Sequence, residues 1–529
     1  MVDRKGCSRL SKPCASHASI SGPYGVDRRQ LLASEKVVSD SIRMLKRAAP
    51  ATTKEYHGSR AAVTTMGCFR ECDVRGTYPD EVDEQLFRAI GGAIARRFRG
   101  EGQIVVAHDV RVSSCSLSSA LIEGIVGCGG HVVDLGLVPT PVVYFNRSQL
   151  DAAAGVIVTA SHNPPQYNGI KLLFRNGPAT CQNIIEISKD LQRTVPVSAG
   201  GTCNRCDGLE EYGTQMQRRW DSWTASTPIT RFPAVVLDPG NGTWSRSAKQ
   251  FLERLGASCR VLHDDPDGTF PGRSPDCASP GSLARLGATV REYGAEAGLA
   301  WDGDGDRLAV VDASGKSLTA DQVGLLLALN MPLRGERVLV DIKMSRKVAE
   351  AIAQRGGIPV VERSAHCALE RTMIKRNCLF GCEYSGHYFF RELRGADDGF
   401  YAALRLIHLI AQNGSLDEML ATLPTFHVTP DIRVPGGPVE FNQICASLSE
   451  APNFRYARIS NLDGHKLELP GGWLLIRQSV SEDKLSVRAE GEDSTALASI
   501  LEGASAALPS SHGVLREALE SWIPARCSS

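Results

Sequence analysis

Val105-Val106-Ala107-His108-Asp109 is an apolar strand pattern that ends in an aspartate, and the same pattern recurs at Val235–Asp238 and Val338–Asp341. Each copy is followed by a helix-like stretch, a second strand, another helix-like stretch and a third strand. The second strands include His131–Val133, Arg260–Leu262 and Pro359–Val361. Strands that alternate with helical patterns indicate crossover connections and mainly parallel pairing. The sequence therefore predicts three similar α/β domains with mainly parallel sheets.

The third strand of each repeat runs into a polar loop. These loops are Ala160–Asn163, Asp302–Asp306 and Glu383–His387. Because α/β proteins bind ligands at the carboxyl ends of parallel strands, all three loops are candidate site segments.

The tail from about residue 430 has a different pattern. Strand-like Trp473–Arg477 and Leu485–Arg488 flank a polar turn, and a helix-like Ser494–Ala507 follows. This order predicts a smaller C-terminal α+β domain.

Composition excludes several classes of protein. The 529 residues include 59 Lys and Arg and 59 Asp and Glu, and this neutral balance argues against nucleic-acid binding. No apolar run is long enough for a membrane span, and residues 1–30 lack a secretory apolar core. We therefore expect a cytoplasmic protein whose 16 cysteines are reduced thiols. Cys203-x-x-Cys206 has no partner pair at zinc spacing.

The first 65 residues differ from the rest, with 12 Lys and Arg against five Asp and Glu and little apolar periodicity. Two interpretations stay open for this basic extension. It is a targeting or disordered segment, or the start is misassigned and Met66 is the true beginning. On either interpretation we expect residues 1–65 to be dispensable for the fold.

Asp302, Asp304 and Asp306 alternate with glycines, a spacing that lets a tight loop turn three carboxylates onto one point. A calcium EF-hand loop starting at Asp302 needs Gly and Glu where the chain has Arg307 and Ala313. Few protein ligands with open positions favour Mg²⁺ that also touches a phosphate. The alternative is a solvated acidic turn.

Ser161 lies where a strand ends, so its hydroxyl can face a cleft. It is no hydrolase nucleophile elbow, because Gly-x-Ser-x-Gly is absent. An exposed serine beside His162, Lys171 and Arg175 suits a phosphoryl carrier, whose charge would complete a Mg²⁺ shell. The alternative is a capping turn.

Two further loops carry polar side chains. Glu383 and Ser385 can bond adjacent sugar hydroxyls, and His387 completes that loop. Arg477, with the hydroxyls of Ser479 and Ser481, can grip a phosphate. A structural cluster and an ordinary hairpin turn are the respective alternatives.

Together these loops resemble those of the α-D-phosphohexomutases, most closely the phosphomannomutase/phosphoglucomutase group, from about Phe69 to Ala507. The matching segments are Phe69–Gly76 with the opening motif, Thr159–Pro164 with the phosphoserine loop, Asp302–Arg307 with the metal loop and Cys382–His387 with the sugar loop.

The resemblance implies four domains around a central cleft. It implies phosphate carried on Ser161, Mg²⁺ bound by that serine and the three aspartates, and a hexose 1,6-bisphosphate as intermediate and activator. The implied domains are 66–206 for phosphoserine, 207–316 for metal, 317–428 for sugar and 429–529 for the distal phosphate.

Further roles follow from the chemistry and the resemblance. Mg²⁺ and Arg307 would offset charge at the reacting phosphate. Arg75 and Lys171 are candidates to stabilise or deprotonate the attacking hydroxyl, and Lys171 is the easier base because arginine holds its proton. His162 joins this predicted catalytic set. Lys343 and His366 resemble positions that hold the sugar.

Three positions depart from the family pattern. Cys72 stands where Tyr or Ser is usual, Val480 where Gly or Asn is usual and Asp483 where Pro is usual. Val resists positive φ and Asp483 adds a like charge, so we expect weaker or rearranged binding of the distal phosphate.

We therefore predict a Mg²⁺-dependent isomerase that interconverts hexose 6-phosphate and hexose 1-phosphate, with mannose preferred and glucose as a second sugar. Its partners are small hexose phosphates, without nucleic acid or membrane, and it is a monomer or dimer. The alternatives are a phosphoglucosamine or glucose-specific mutase and, from another class, a non-catalytic phosphosugar-binding regulator.

Overall fold

The computed structural model describes residues 67–191, 200–479 and 484–523, which all lie within one compact unit. The basic extension of residues 1–65 therefore lies outside the described residues. None of the described helices is both long and apolar enough to cross a membrane.

The first domain is built on a seven-stranded sheet. Its elements are β1 (Asp73–Thr77), α1 (Glu84–Arg97), β2 (Ile104–His108), α2 (Ser114–Gly127), β3 (His131–Leu137), α3 (Thr140–Gln149), β4 (Ala154–Val158), β5 (Tyr167–Phe174), β6 (Gly177–Pro178), α4 (Cys181–Asp190) and β7 (Thr202–Arg205). The order is β1-β5-β4-β2-β3-β7, with β6 beside β5. β2 pairs in parallel with β3 and β4, whereas β5 runs antiparallel to β1 and β4. β2 is almost wholly buried, as expected for a central parallel strand.

The second domain repeats this plan with four strands. Its elements are α5 (Gly208–Ser226), β8 (Val235–Asp238), α6 (Ser247–Arg254), β9 (Cys259–Val261), α7 (Ala284–Tyr293), β10 (Ala297–Trp301) and β11 (Leu308–Asp312). The order is β11-β10-β8-β9, with β8 parallel to β9 and β10 and only β11 antiparallel.

The third domain has the same sheet topology as the second. Its elements are α8 (Ala320–Leu329), β12 (Arg337–Asp341), α9 (Arg346–Gln354), β13 (Ile358–Glu362), α10 (His366–Arg376), β14 (Phe380–Cys382), β15 (Tyr388–Phe390), α11 (Gly399–Asn413) and α12 (Leu416–Ala421). The order is β13-β12-β14-β15, and β15 is the antiparallel edge.

The fourth domain carries an antiparallel sheet. Its elements are β16 (His427–Val428), β17 (Ile432–Pro435), α13 (Pro438–Glu450), β18 (Arg458–Ser460), β19 (His465–Leu469), β20 (Gly472–Gln478), β21 (Lys484–Gly491), α14 (Ser494–Ala507) and α15 (Gly513–Glu520). The order is β16-β21-β20-β19-β18, with β17 beside β21. A separate apolar core that includes Leu474, Val487 and Leu501 packs between sheet and helices.

The predicted repeat is confirmed: each aspartate-ended strand lies centrally between two parallel neighbours. In all three α/β domains the third strand ends beside the polar loop assigned to it. The sequence placed the second strand of the second domain one residue late, since β9 begins at Cys259. The four-domain fold class predicted from the sequence is the one observed.

The expectation that every cysteine is a reduced thiol is wrong for one pair. Cys72, just before β1, and Cys367, in the first turn of α10, form a disulfide across 295 positions of sequence. The other described cysteines are free, including Cys203 and Cys206. Sequence spacing gave no sign of this pair, because the contact is made between two domains.

Candidate active site

The loop that follows β4 holds Ser161 in an unusual backbone conformation. Ser161 has φ of +50°, in the left-handed region that side chains other than glycine seldom adopt. The buried Arg111 stabilises this turn by donating to the carbonyl oxygens of Ser161 at 2.8 Å and Asn163 at 2.6 Å. Arg111 also pairs with buried Asp109 at 3.1 Å. A backbone position held this firmly is typical of functional sites.

The hydroxyl of Ser161 points at the loop after β10 in the second domain. Its Oγ donates to Asp302 Oδ2 at 2.8 Å and lies 3.3 Å from His162 Nδ1. The expectation of an exposed hydroxyl is wrong, because Ser161 is only 2% exposed beneath these neighbours. Arg175 is not part of this group, since it bonds the carbonyls of Glu101 and Asp151 at the surface.

The loop 302–306 brings its three carboxylates to one point. One oxygen from each of Asp302, Asp304 and Asp306 lies within 4.8 Å of the others, and all three residues are buried. Gly305, at φ of +80°, supplies the turn that makes this convergence possible. Oδ1 of Asp304 and Oδ1 of Asp306 are buried and have no hydrogen-bond partner in the part of the chain that the structure describes. Buried carboxylate oxygens in this arrangement fit a small divalent cation such as Mg²⁺.

Electrostatics support the same interpretation of the aspartate loop. Burial and the charges of Asp306 and Asp304 raise the pKa of Asp302 well above its usual range. Three anions packed together repel one another, and a cation at their focus would relieve that repulsion. The loop therefore has the charge of a cation site.

Lys171, on β5, reaches the metal loop from the first domain. Its Nζ lies 2.7 Å from Asp304 Oδ2 and 2.5 Å from Asp306 Oδ2, while Thr140 Oγ1 donates to Asp304 Oδ2 at 2.7 Å. Burial alone would lower the pKa of Lys171, but the two aspartates outweigh it and raise that pKa above its ordinary value. Lys171 is therefore protonated and ion-paired here. Its amine can act as a base only after it has lost this proton, and the pairing with Asp304 and Asp306 opposes that loss.

Arg75 and His162 lie on the other side of the serine loop. Arg75 Nη1 donates to Asn163 Oδ1 at 2.8 Å, and Nη2 pairs with Asp73 at 2.7 Å. Burial, together with nearby Arg307 and Arg75, lowers the pKa of His162 well below its ordinary value. His162 is thus neutral and serves as a hydrogen-bonding partner of Ser161 rather than as a cation.

The loop after β14 joins the site from the third domain. Glu383 is buried, and its Oε2 and the Oγ of Ser385 have no hydrogen-bond partner among the described residues. His387 Nε2 accepts a hydrogen bond from Arg307 Nε at 3.0 Å, which ties this loop to the metal loop. Unpartnered buried polar atoms cost stability, so they mark a place built for a polar ligand.

Asp397 was not predicted from the sequence, yet it binds two predicted residues at once. Its Oδ1 lies 3.0 Å from His366 Nε2 and its Oδ2 lies 2.5 Å from His387 Nδ1. The centroids of the two imidazole rings, of His366 and His387, are 4.8 Å apart. Burial would raise the pKa of Asp397, but the two histidines hold it well below its usual range. Asp397 therefore fixes both rings while remaining ionised.

This bridge gives a stability change with a defined direction. Burial would lower the pKa of His366, but Asp397 raises it to about 9 from an ordinary 6.5. The stabilisation is fully present below the unfolded pKa and is lost as the pH rises through about 9. We expect the difference in urea-unfolding midpoint between wild type and His366→Gln to be largest below pH 6.5 and to shrink as the pH rises through about 9.

The same difference in midpoint below pH 6.5 and above pH 9 would contradict this prediction. The control variant is His131→Gln, because His131 is exposed.

Lys343 and Arg477 form a second group where the third and fourth domains meet. Lys343 Nζ lies 3.3 Å from Asp431 Oδ2. Arg477 is buried, pairs with Asp463 at 2.9 Å and donates to the carbonyl of Ser364 at 3.1 Å. The N–H of Asp431 donates to the hydroxyl of Tyr384 at 3.1 Å, so this junction adjoins the sugar loop.

The hairpin assigned to the distal phosphate is described only in part. Ser479 is described, and its N–H donates to the carbonyl of Lys484 at 2.8 Å. Ser481, Val480 and Asp483 lie outside the described residues. Their roles remain predictions.

Three family models match the chain in order. They describe the phosphoglucomutase/phosphomannomutase alpha/beta/alpha domains I, II and III, and they match residues 66–194, 210–315 and 319–426. The chain belongs to this family. Its four-domain fold is thus that of a phosphohexomutase.

This phosphohexomutase matches several relatives over nearly the whole length of each relative. The phosphomannomutase/phosphoglucomutase of Pseudomonas aeruginosa is 33% identical over 82% of this chain and 94% of its own. The phosphoglucomutase of Neisseria meningitidis is 31% identical over 81% and 94%. The probable phosphoglucosamine mutase of Methanothermobacter thermautotrophicus is 32% identical over 80% and 94%. The chain is therefore an isomerase of hexose phosphates, and a non-catalytic regulator is not favoured.

Solved structures share the fold. A phosphoglucomutase/phosphomannomutase family protein from Burkholderia thailandensis matches with a TM-score of 0.75 and 29% identity, over 87% of this chain and 98% of the other. An Aspergillus fumigatus N-acetylphosphoglucosamine mutase, in complex with GlcNAc-6P and magnesium, matches with a TM-score of 0.52 at 14% identity over 92% and 99%. The second likeness concerns the fold alone.

Sequence reasoning missed Thr140, Arg111 and Asp397. Arg111 follows Asp109 by two residues, and this acid–base spacing directly after a buried strand was a usable signal. Thr140 and Asp397 carry no local signal, because each acts on a residue from a different part of the chain.

Proposed function

We propose that this phosphohexomutase interconverts the 6-phosphate and 1-phosphate of mannose, and of glucose, through a phosphoserine at Ser161 and a bisphosphorylated sugar. The observation that carries the proposal is the 2.8 Å contact between Ser161 Oγ and Asp302, with Lys171 on the neighbouring carboxylates. A nucleophile, a cation site and a positive side chain then lie within one buried cluster.

The proposed reaction has two mirrored transfers. In the first, the bond between phosphorus and Ser161 Oγ breaks, a bond to the free sugar hydroxyl forms, and that hydroxyl loses its proton. The bisphosphate then turns, and its other phosphoryl group returns to Oγ with release of the isomeric monophosphate. Arg307 offsets charge on the transferred group, and His162 orients the serine oxygen. Bound Mg²⁺ would supply further charge neutralisation at that phosphate.

The proton acceptor is Lys171 or, less readily, Arg75. Arginine holds its proton in proteins, so Arg75 suits charge stabilisation. Lys171 is held protonated by Asp304 and Asp306, and binding of a cation by these carboxylates would weaken that hold. The contact geometry thus supports a lysine that gives up its proton only in the loaded site.

A hexose 1,6-bisphosphate is the proposed activator, because it can phosphorylate an empty Ser161. Magnesium is the proposed ion, supported by the three buried aspartates. The many free thiols support a cytoplasmic location.

The sugar is proposed to bind at Glu383 and Ser385, with Lys343, His366 and His387 around it. The distal phosphate is proposed to bind at Arg477, Ser479 and Ser481. In this proposal the first two domains bind the reacting phosphate, and the last two bind the sugar and the distal phosphate.

Glu383→Gln tests the sugar site. The carboxylate offers a charged acceptor that the amide lacks, and hydrogen bonds to charged groups contribute about 1.5–3 kcal/mol. We expect kcat/KM to fall about 10- to 100-fold on that basis. Steady-state kinetics with mannose 1-phosphate measures it, and Glu468→Gln on the surface of β19 is the control. Unchanged kcat/KM in Glu383→Gln would remove this residue from the sugar site.

The choice of sugar is tested by comparing kcat/KM for mannose, glucose and glucosamine phosphates on one preparation. We expect mannose to rank first and glucose second. Glucosamine phosphate in first place would favour the function named for the Methanothermobacter relative. No conversion of any of the three would refute the proposal.

A further inference from the structure

The Cys72–Cys367 disulfide joins the first domain to the third, and no step of the proposed reaction uses it. The two Cα atoms are 6.4 Å apart, within the range that a disulfide spans. An ion pair between Glu71 and Arg363, 2.6 Å long, crosses the same junction. The two domains therefore meet closely at this point.

Each cysteine is the direct neighbour of a segment that leads into the site. Cys72 precedes Asp73, whose carboxylate pairs with Arg75, and Arg75 in turn bonds Asn163 in the serine loop. Cys367 follows His366, which bonds Asp397. A covalent bond here fixes the spacing between the phosphoryl side and the sugar side of the site.

The two sulfurs differ in access. Cys72 is partly exposed, whereas Cys367 is 2% exposed. A dissolved thiol or disulfide therefore reacts at Cys72 first. Cys68 lies four residues away and is the nearest competitor in sequence, but it is buried, and the structure pairs Cys72 with Cys367 and leaves Cys68 a free thiol.

We propose that Cys72 and Cys367 form a reversible redox switch that slows turnover when the disulfide is closed. The inference rests on the proposed function, in which the bisphosphate must turn between the two domains that this bond ties together. A disulfide that limits the separation of the first and third domains slows the reorientation of the bisphosphate and the release of product. Opening the bond removes this covalent tie between the first and third domains.

The chemistry is thiol–disulfide exchange with a dissolved small-molecule disulfide or dithiol. In closing, the Cys72 thiolate attacks one sulfur of the small disulfide, which breaks its S–S bond and frees one thiolate group, and the Cys367 thiolate then attacks the Cys72 sulfur of this mixed disulfide and frees the second. Two protein thiols thus lose two electrons and two protons, and the small disulfide becomes two thiols. A dithiol reverses both steps, beginning at Cys72, the more exposed of the two cysteines.

The experiment equilibrates the full chain in oxidised and reduced dithiothreitol and measures three quantities on each sample. Peptide mass spectrometry after alkylation reports the Cys72–Cys367 bond. Hydrogen exchange of residues 67–78 and 363–376 reports how tightly the domains are held. Mutase kinetics reports turnover. The variants are Cys72→Ser and Cys367→Ser, with exposed Cys203→Ser as the matched control.

We expect the oxidised wild type to lose kcat about tenfold relative to the reduced form, with slower exchange in both segments. Reduction restores both. The two serine variants keep the activity of reduced wild type in either condition, and Cys203→Ser behaves as wild type. Equal kcat in samples proven open and closed overturns the switch, as does failure of the bond to form or oxidant sensitivity that persists in Cys72→Ser. A reduced enzyme without mutase activity refutes the proposed function instead, while exchange and mass spectrometry still test the tie.

Discussion

Ser161→Ala should abolish mutase activity, with a fall in kcat of at least about 10⁴-fold, because the proposed route has no other phosphoryl carrier. The hydroxyl is buried and aimed at Asp302, so water has no equivalent position from which to accept the phosphoryl group. Coupled assay of purified enzyme measures the loss, and intact-mass analysis should find one phosphate on wild type and none on the variant. Binding of hexose phosphate should survive, since the sugar loop is untouched.

Ser119→Ala is the matched control, because Ser119 lies exposed on α2 and its hydroxyl bonds the carbonyl of Cys115 in its own helix. It should keep wild-type activity and phosphorylation. If Ser161→Ala retains more than a trace of activity in a preparation free of wild-type enzyme, a phosphoserine mechanism at this position is ruled out.

The fold was predictable because its determinants are local. Three aspartate-ended apolar strands and the helices between them specify parallel α/β domains, and the loops after the third strands fell where the pattern places ligands. Strand ends differ by about one residue, as at β9, because hydrogen bonds with neighbours set where a strand stops. Register and the antiparallel edges β11 and β15 could not be read from one chain segment.

The site was predictable only where one loop carries the whole pattern. Asp302, Asp304 and Asp306 converge because glycine spacing makes the turn. Ser161 lies in the loop after a third strand, as the sequence predicted, although that strand ends at Val158 and not at the serine. The burial of Ser161 was missed, since Asp302 contacts it from another domain. Asp397 and the Cys72–Cys367 bond escaped for the same reason. Each depends on two segments far apart in sequence, which periodicity and spacing cannot relate.

Asp306→Asn should give the second largest loss, with kcat lower by about 100-fold or more, because it replaces one of the three anionic carboxylates of the proposed cation site by a neutral amide. The variant also deprives Lys171 of its 2.5 Å partner while leaving Asp304 in place. Chelation of divalent cations from wild type should lower activity at least as far, and added Mg²⁺ should restore it. Asp265→Asn is the control, because Asp265 is largely exposed and its carboxylate pairs only with Arg246.

The melting temperature, measured with and without Mg²⁺, tests for cation binding independently of turnover. It distinguishes a cation site from an acidic cluster whose negative charge supports activity without a bound ion. In wild type, Mg²⁺ should raise the melting temperature, because binding to the folded chain alone stabilises it. In Asp306→Asn the cation should raise it less. The pKa of Asp302 is raised by burial and by its two neighbours, so Mg²⁺ competes with a proton there and its affinity should fall as the pH falls. Without Mg²⁺ the variant should melt no lower than wild type, since removing one of three mutually repelling charges offsets the lost Lys171 contact. If Mg²⁺ does not change the melting temperature of wild type at any pH where the chain is folded, the three aspartates do not bind this ion.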